Sequence, residues 1–334
     1  MRFAGRIDRH RHDSALLKGN PLGDPHEREL LVYVPPGADD AGRLPVVMLL
    51  GGYGSSGENF VNYSYFEENV VDRFDRLVRT GACPPALLVM PDAINRWGGS
   101  QFVDSSATGP YQRYLCDEIV PFVDRHYSTL AAPEGRAVVG RSSGGFGALR
   151  LGIDRPEVFG VIGSHAGDSA FEISVLPELR TAAIAFDRAG GVAGFLERFA
   201  QGPTNVPFGG LIILAYSAAY CPEPDAPLPH CELPFEMATG ELKRQPWARF
   251  MAHDPLERIR EDDSALSKAA AIFLDAGDHD EHGLHFGTRM IADCLRARGI
   301  AVTAEEFEGS HRGTGYRYER SLPWLVQACL DASR

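Results

Sequence analysis

The sequence predicts an α/β fold, a mainly parallel sheet flanked by helices. Three observations lead there. Short apolar runs alternate with segments of helical period, several of the runs are apolar on both faces, and no repeat at a solenoid period competes with that alternation. A strand apolar on both faces escapes water only when helices cover the sheet from each side, which is the setting of parallel strands.

In chain order the strand candidates are residues 30–34, 46–50, 86–90, 137–139, 161–164, 271–274 and 302–307, and the helix candidates between them are 69–80, 114–127, 143–154, 286–298 and 324–332. In 114–127, Leu115, Ile119, Phe122 and Val123 share a face, but Pro121 removes a backbone donor in mid-run, so the helix is expected to kink or restart. In 286–298, Phe286, Met290, Ile291, Cys294 and Leu295 form one apolar stripe, and Gly299 stands where a left-handed C-terminal cap belongs. The alternation breaks down across 171–263, which holds Pro222, Pro224, Pro227, Pro229 and Pro234. This stretch is expected to be an insertion, lid-like or cap-like, into a single domain spanning 1–334. Placed after the strand that follows helix 143–154, it would hang over the C-terminal edge of the sheet, where open α/β folds bind ligands, and shape the pocket.

Composition narrows the function. A chain of 334 residues that is 44% hydrophobic and 23% charged suits one α/β unit with a sizeable core and no disordered arm. Asp and Glu number 45 against 33 Lys and Arg, and the net charge of −12 repels a phosphate backbone, which argues against nucleic acid as a partner. The most apolar stretches, 46–50 and 211–220, fall far short of the roughly 20 residues that cross a bilayer. Arg2, Arg6, Arg9 and Arg11 near the N-terminus precede no apolar signal core, so a soluble cytoplasmic protein with no membrane partner is expected. The six cysteines lack metal-ligand spacing and suit reduced thiols. Cys221 and Cys231 bracket a proline-rich loop, where two independent thiols are expected and a bridge is the alternative. Homo-oligomerisation stays open.

Gly140-Arg141-Ser142-Ser143-Gly144 is the one complete G-x-S-x-G pattern in the chain, and among 36 glycines the pattern alone carries little weight. Its context carries more. A short strand precedes it and a helix start follows, so Ser142 sits on a sharp strand-to-helix turn that strains its backbone and exposes its oxygen. The bland alternative is a glycine-rich turn that packs a helix onto a sheet. A serine hydroxyl is a poor nucleophile near neutrality and needs a base, itself oriented by a carboxylate. Strand 271–274 runs into Asp275-Ala276-Gly277-Asp278-His279-Asp280, which offers an acid, and the last strand runs into Gly309-Ser310-His311, which offers the base. The order Ser142, Asp280, His311 is that of α/β-hydrolases. Asp278 is the rival for the acid position. His279, His282 and His285 stand close enough in sequence to offer ligands to a metal, but a solvated loop is the simpler account and no metal or other cofactor is expected. A tetrahedral intermediate needs two donors for its oxyanion. The backbone amide of Ser143 is one candidate, and that of Tyr53, in the Gly51-to-Gly57 loop, is the other. Trp97, Phe102, Trp247 and Phe250 are candidate pocket aromatics, with core packing as the alternative, and His165 is either a pocket residue or a structural histidine.

With these residues in place the chain resembles the esterase family of α/β-hydrolases that includes esterase D, enterochelin esterases, feruloyl esterases and the mycolyltransferases. The resemblance runs through Leu31-Val32-Tyr33-Val34-Pro35-Pro36, the Gly51-to-Gly57 loop, Leu115 to Asp124, the Ser142 turn, Gly277 to Glu281 and Gly309-Ser310-His311. It implies an α/β-hydrolase fold with Ser142, Asp280 and His311 in the triad positions and Tyr53 and Ser143 in the oxyanion positions. The chain departs from the family at Gly51, where histidine is frequent, and at Ser143, where methionine is frequent; neither change removes a backbone donor. The implied activity is cofactor-independent hydrolysis of small or aryl carboxylic esters by a serine esterase. Acyl transfer or thioester hydrolysis of the S-formylglutathione hydrolase kind would use the same residues, and a non-catalytic small-ligand binder on this fold is the rival from another class.

Overall fold

Runs such as Val46–Leu50 and Leu87–Pro91 are buried at every position and become inner strands, because both faces are covered. The computed structural model describes residues 4–38 and 40–334; residues 1–3, which include Arg2, and residue 39 lie outside the described residues. The strands are β1 (Arg6–Asp13), β2 (Glu27–Val34), β3 (Val46–Leu50), β4 (Leu87–Pro91), β5 (Asp104–Ser105), β6 (Gly109–Pro110), β7 (Arg136–Arg141), β8 (Val161–His165), β9 (Ala271–Gly277) and β10 (Thr303–Phe307). Among the described residues, β5 and β6 form a small ribbon and the other strands one eight-stranded sheet, in the order β1-β2-β4-β3-β7-β8-β9-β10. Within the large sheet the β1–β2 and β2–β4 pairs are antiparallel and the others parallel, and the β5–β6 ribbon is antiparallel.

The helices are α1 (Val70–Arg79), α2 (Tyr111–Arg113), α3 (Val120–His126), α4 (Ser143–Asp154), α5 (Phe171–Ser174), α6 (Leu176–Ala189), α7 (Val192–Ala200), α8 (Phe208–Tyr220), α9 (Arg244–Met251), α10 (Pro255–Glu261), α11 (Leu284–Ala297) and α12 (Tyr318–Ala332). Alternation along the strands sorts the core. Val47, Leu49, Val139 and Phe273 pack with Phe74 of α1 and Leu322 and Leu325 of α12. On the other face Met48, Leu50 and Val138 meet Ile119, Val123 and Leu151, and Ile162 and Leu274 meet Leu149, Ile291 and Leu295. Each such side chain contributes roughly 1.5–3 kcal/mol of burial. This framework holds the C-terminal ends of β3, β7, β8 and β9 side by side.

Several local features follow from sequence. Asn69 caps α1 by accepting from the Asp72 amide at 2.7 Å. Gly299 closes α11 at φ +74°. Residues 114–119 form a π-helical stretch that runs into α3 without leaving helical dihedrals, with the Val120 amide donating to the Leu115 carbonyl, so the helix neither stops nor restarts and Pro121 follows directly after the widened turn. One member of the expected stripe on α11 needs correction. Ile291 and Leu295 are buried and Met290 and Cys294 pack partly buried against the same cluster, but Phe286 is 43% exposed, and Leu284 and Ala292 complete the buried face. Strand β1 escapes periodicity altogether. Arg6-Ile7-Asp8-Arg9-His10-Arg11-His12-Asp13 has no apolar run, yet it pairs with β2 over its full length as a charged edge strand, the kind that resists pairing with another chain.

Residues 171–263 fold mainly as helices α5 to α10 between β8 and β9. Apolar α8 is buried for most of its length against α6 and an aromatic cluster that includes Trp97, Phe146, Phe171, Phe195 and Phe250. The six cysteines are free thiols, and burial pushes that of Cys221 up to about 12. Among the described residues no helix is long and apolar enough to cross a membrane.

Candidate active site

Ser142 sits between β7 and α4 with φ +59° and ψ −126°, a backbone conformation that costs an L-residue energy and is held only because its surroundings over-determine it. Its amide donates to the His165 carbonyl at 2.9 Å, and its carbonyl accepts from Phe146 at 2.9 Å as the first bond of α4. The flanking glycines are steric necessities. A Cβ on Gly140 would lie 2.5 Å from the Gly144 carbonyl carbon, and one on Gly144 would lie 2.2 Å from the Leu50 oxygen. The turn therefore presses against the end of β3 while turning the Ser142 hydroxyl outward.

His311 leaves the loop after β10 and places Nε2 3.0 Å from Ser142 Oγ. Its Nδ1 lies 2.8 Å from Asp280 Oδ2. The tautomer with its proton on Nδ1 donates to Asp280 and leaves Nε2 to accept the serine hydroxyl. The Asp280 side chain is fully buried, and its Oδ1 accepts from the His282 amide at 2.9 Å. Burial pushes the Asp280 carboxyl up, but hydrogen bonds and charge from His311 and the amides of His282 and Leu284 outweigh it and hold it below its ordinary value.

Asp278 has a different task. Its Oδ1 accepts from the Gly309 amide at 3.1 Å and pairs with His279 at 2.6 Å. Both hold its carboxyl below the usual range. It fastens the loop of Asp280 to the loop of His311, which approach so closely at Gly277 that a Cβ there would meet the Gly309 oxygen at 2.3 Å.

The Gly51-to-Gly57 loop lies beside the serine: a Cβ on Gly52 would sit 3.3 Å from the Arg141 oxygen and 3.7 Å from Ser142 Cβ. The Tyr53 hydroxyl is anchored on the Trp97 carbonyl, and its ring meets Phe208 edge-on at 5.6 Å. Among the described residues neither the Tyr53 nor the Ser143 amide has a hydrogen-bond acceptor. Ser142, His311 and Tyr53 open on a cavity of about 280 Å³ whose other walls include Val175, Phe208, Ile212 and Tyr216 from the helical segment.

The remaining pocket expectations need correction, because their apolar bulk belongs to the core. Trp97 is fully buried against Phe199, Phe102 packs under the turn against Gly147, and Trp247 stacks on the buried Phe250 at 5.8 Å; none lines the cavity. His165 is also outside it. Its Nδ1 lies 2.5 Å from Asp275 Oδ1 and its Nε2 2.8 Å from Ser321 Oγ, and Asp275 pairs with Arg317 at 2.8 Å. Ser321, His165 and Asp275 repeat the connectivity of Ser142, His311 and Asp280, yet they are sealed in the core. Access, beyond geometry, separates the two sets. The three clustered histidines diverge: His279 is exposed, His282 stands edge-on to His311 at 4.9 Å, and His285 is buried beside Phe286.

Sequence reasoning missed three side chains at the site. The Glu281 carboxylate accepts from the His311 amide at 2.9 Å, and the Arg141 guanidinium donates to the His311 carbonyl at 2.7 Å and to Thr314 Oγ1 at 3.3 Å. The peptide of the histidine is thus pinned at both ends. Asp168, just beyond β8, is 7% exposed and lines the cavity, with Tyr216 donating to its Oδ2 at 2.5 Å. A charged residue next to the serine was visible for Arg141; nothing local marks the other two.

Comparison with known proteins agrees with this architecture. Residues 25–321 match the family model described as "Putative esterase". An esterase of Mycobacterium tuberculosis is 34% identical over 88 residues, 26% of this chain and 19% of that protein. An endo-1,4-β-xylanase/feruloyl esterase of Xylanibacter ruminicola is 28% identical over 93 residues, 28% of this chain and 13% of that one. The matched stretches thus span a fifth or less of these relatives. Among solved structures, a ferulic acid esterase superposes with a TM-score of 0.63 at 17% identity, covering 98% of this chain and 99% of the other. An S-formylglutathione hydrolase from Agrobacterium tumefaciens gives 0.59 at 16% identity, covering 98% and 96%. At these identities the likeness concerns the fold.

Proposed function

Because the chain belongs to the Putative esterase family, we propose that it is a serine carboxylesterase acting on small or aryl esters, with Ser142 as nucleophile, His311 as base and Asp280 as the acid that orients it. The observation that carries this reading is the 3.0 Å approach of His311 Nε2 to Ser142 Oγ on a positive-φ turn at the cavity. In the proposed cycle His311 takes the Ser142 proton as Oγ bonds to the ester carbonyl carbon, and the amides of Tyr53 and Ser143 receive the oxyanion. The carbonyl re-forms, the alcohol leaves with the proton from His311, and an acyl-serine remains. Water, deprotonated by His311, then attacks the acyl carbon, and Ser142 recovers its proton as the acid departs.

The cavity of about 280 Å³ supports a small substrate, since it falls just short of the usual size range of ligand pockets. Its walls of Tyr53, Phe208 and Ile212 suit an aryl or short acyl group. The similarity to a ferulic acid esterase points the same way, and that to an S-formylglutathione hydrolase keeps thioesters as a second substrate class for the same residues. The free thiols suit a reducing compartment, and we place the activity in the cytoplasm.

A fluorophosphonate tests the core of the proposal. It should label Ser142, and Ser142→Ala should abolish both labelling and ester hydrolysis while melting like the parent. Absence of labelling in folded parent protein overturns the reading. Product partition with added alcohol separates hydrolysis from acyl transfer.

A further inference from the structure

The cavity holds a carboxylate that the proposed reaction does not use. Asp168 follows β8, is 7% exposed, and takes the Tyr216 hydroxyl at 2.5 Å and the Ser143 hydroxyl at 3.3 Å on the same oxygen, Oδ2. Among the described residues Oδ1 has no hydrogen-bond partner, and it is not one of the atoms sealed from solvent, so it opens on the cavity that Asp168 lines. No cation lies within ion-pairing range of this carboxylate among the described residues. Burial pushes the Asp168 carboxyl up, while Tyr216, His311 and Ser143 pull it back.

Position adds a constraint. Ser143 is the residue whose amide faces the proposed oxyanion, and its side chain brings Asp168 within three covalent bonds and one hydrogen bond of that amide. Whatever Oδ1 binds is therefore close to the reacting carbonyl. An unpaired acceptor beside an oxyanion gives nothing to the reaction itself, since it would repel developing negative charge. A buried polar atom left open instead discriminates between ligands that satisfy it and isosteres that do not.

Resting on the esterase reading, we propose that Asp168 is a specificity-determining residue whose free oxygen receives a hydrogen-bond donor, a hydroxyl or a protonated amine, carried near the scissile carbonyl of the ester. Tyr216 and Ser143 fix the carboxylate; on the same cavity wall Glu178 is offset by Arg141 and Arg312, so selection of the donor rests on the free oxygen of Asp168 itself.

Matched esters test this. Ethyl butanoate, ethyl 3-hydroxypropanoate and ethyl β-alaninate differ only in a methyl, hydroxyl or ammonium at the end of the acyl chain; propyl acetate and 2-hydroxyethyl acetate place the same contrast on the alcohol. For at least one donor-bearing ester, kcat/KM relative to its methyl isostere should fall by about tenfold or more from the parent to Asp168→Leu, the scale of a hydrogen bond to a charged group. Asp168→Asn separates the two donors: it keeps a hydroxyl preference and loses an ammonium preference. Ratios that stay within twofold between the parent and a cooperatively melting Asp168→Leu overturn the proposal. So does a parent enzyme that favours no donor-bearing ester over its isostere by more than twofold, which needs no variant to fold. Fluorophosphonate labelling with flat ratios defeats this proposal alone; absence of labelling and of all hydrolysis in the parent defeats the esterase reading, and this inference falls with it.

Discussion

Changing Arg141 to methionine removes the guanidinium that holds the carbonyl of His311 while keeping much of the apolar stem in place. Two contacts go: 2.7 Å to the His311 oxygen and a weaker 3.3 Å to Thr314 Oγ1. A hydrogen bond from a charged donor is worth about 1.5–3 kcal/mol net. If that energy serves to hold the imidazole over Ser142, losing it depopulates the productive pose, and kcat/KM falls by roughly 10- to 150-fold. The loss should lie in kcat more than in KM, because what suffers is proton transfer rather than substrate binding. Steady-state hydrolysis of p-nitrophenyl acetate and the rate of fluorophosphonate labelling would both report it, with thermal melts confirming the fold. Arg141→Lys, which keeps a donor but not the planar fork, should recover part of the activity. A kcat within threefold of the parent would refute the reasoning, for it would mean that Glu281 and Asp280 hold His311 unaided. A loss confined to KM would assign Arg141 to substrate binding instead.

Three further outcomes follow from the geometry. Asp280→Asn should lower kcat on the order of 10³-fold or more, since an amide cannot hold the imidazole in the required tautomer, whereas Asp278→Asn should cost no more than about tenfold because that carboxylate only fastens the Gly309 loop; equal losses would refute the distinction, and a larger loss at Asp278 would reverse it. Gly144→Ala forces a Cβ to 2.2 Å from the Leu50 oxygen, backbone against backbone, and should abolish labelling of Ser142 or soluble expression; a normally labelled, active protein would contradict the close packing. His253, stacked on Tyr220 at 4.6 Å, is pushed by burial down to about 3. The unfolded chain takes up a proton there below about pH 6.5 that the folded protein refuses until about 3, so this group makes stability fall as pH drops through that window, by at most about 1.4 kcal/mol per unit. His253→Phe keeps the stacking and removes the penalty, so its melting temperature should gain on the parent between pH 7 and pH 4; parallel curves would refute the assignment.

The elements most legible in the sequence were those whose cause lies within a few residues. Strand Val46–Leu50 and helix Ser143–Asp154 are where the apolar pattern puts them, and the Ser142 turn follows from two glycines that no larger residue can replace. Strand β1 was illegible because pairing at a sheet edge asks only for extended backbone, and its charged side chains carry no periodic signal. The pocket aromatics failed for the opposite reason: Trp97, Phe102 and Trp247 announce burial, and burial in the core looks the same in sequence as burial around a ligand.

The sequence by itself determined the alternating architecture and the serine on its strained turn, since turn chemistry and periodicity are local; chain order made His311 the expected base. Only the tertiary structure put Asp280 rather than Asp278 against His311, set His165 in the core with Ser321, pinned His311 between Arg141 and Glu281, and brought Tyr216 to Asp168. Those outcomes depend on partners from 30 to 170 residues apart meeting across packed strands and helices, and two residues at such separations carry no mutual spacing until the chain has folded.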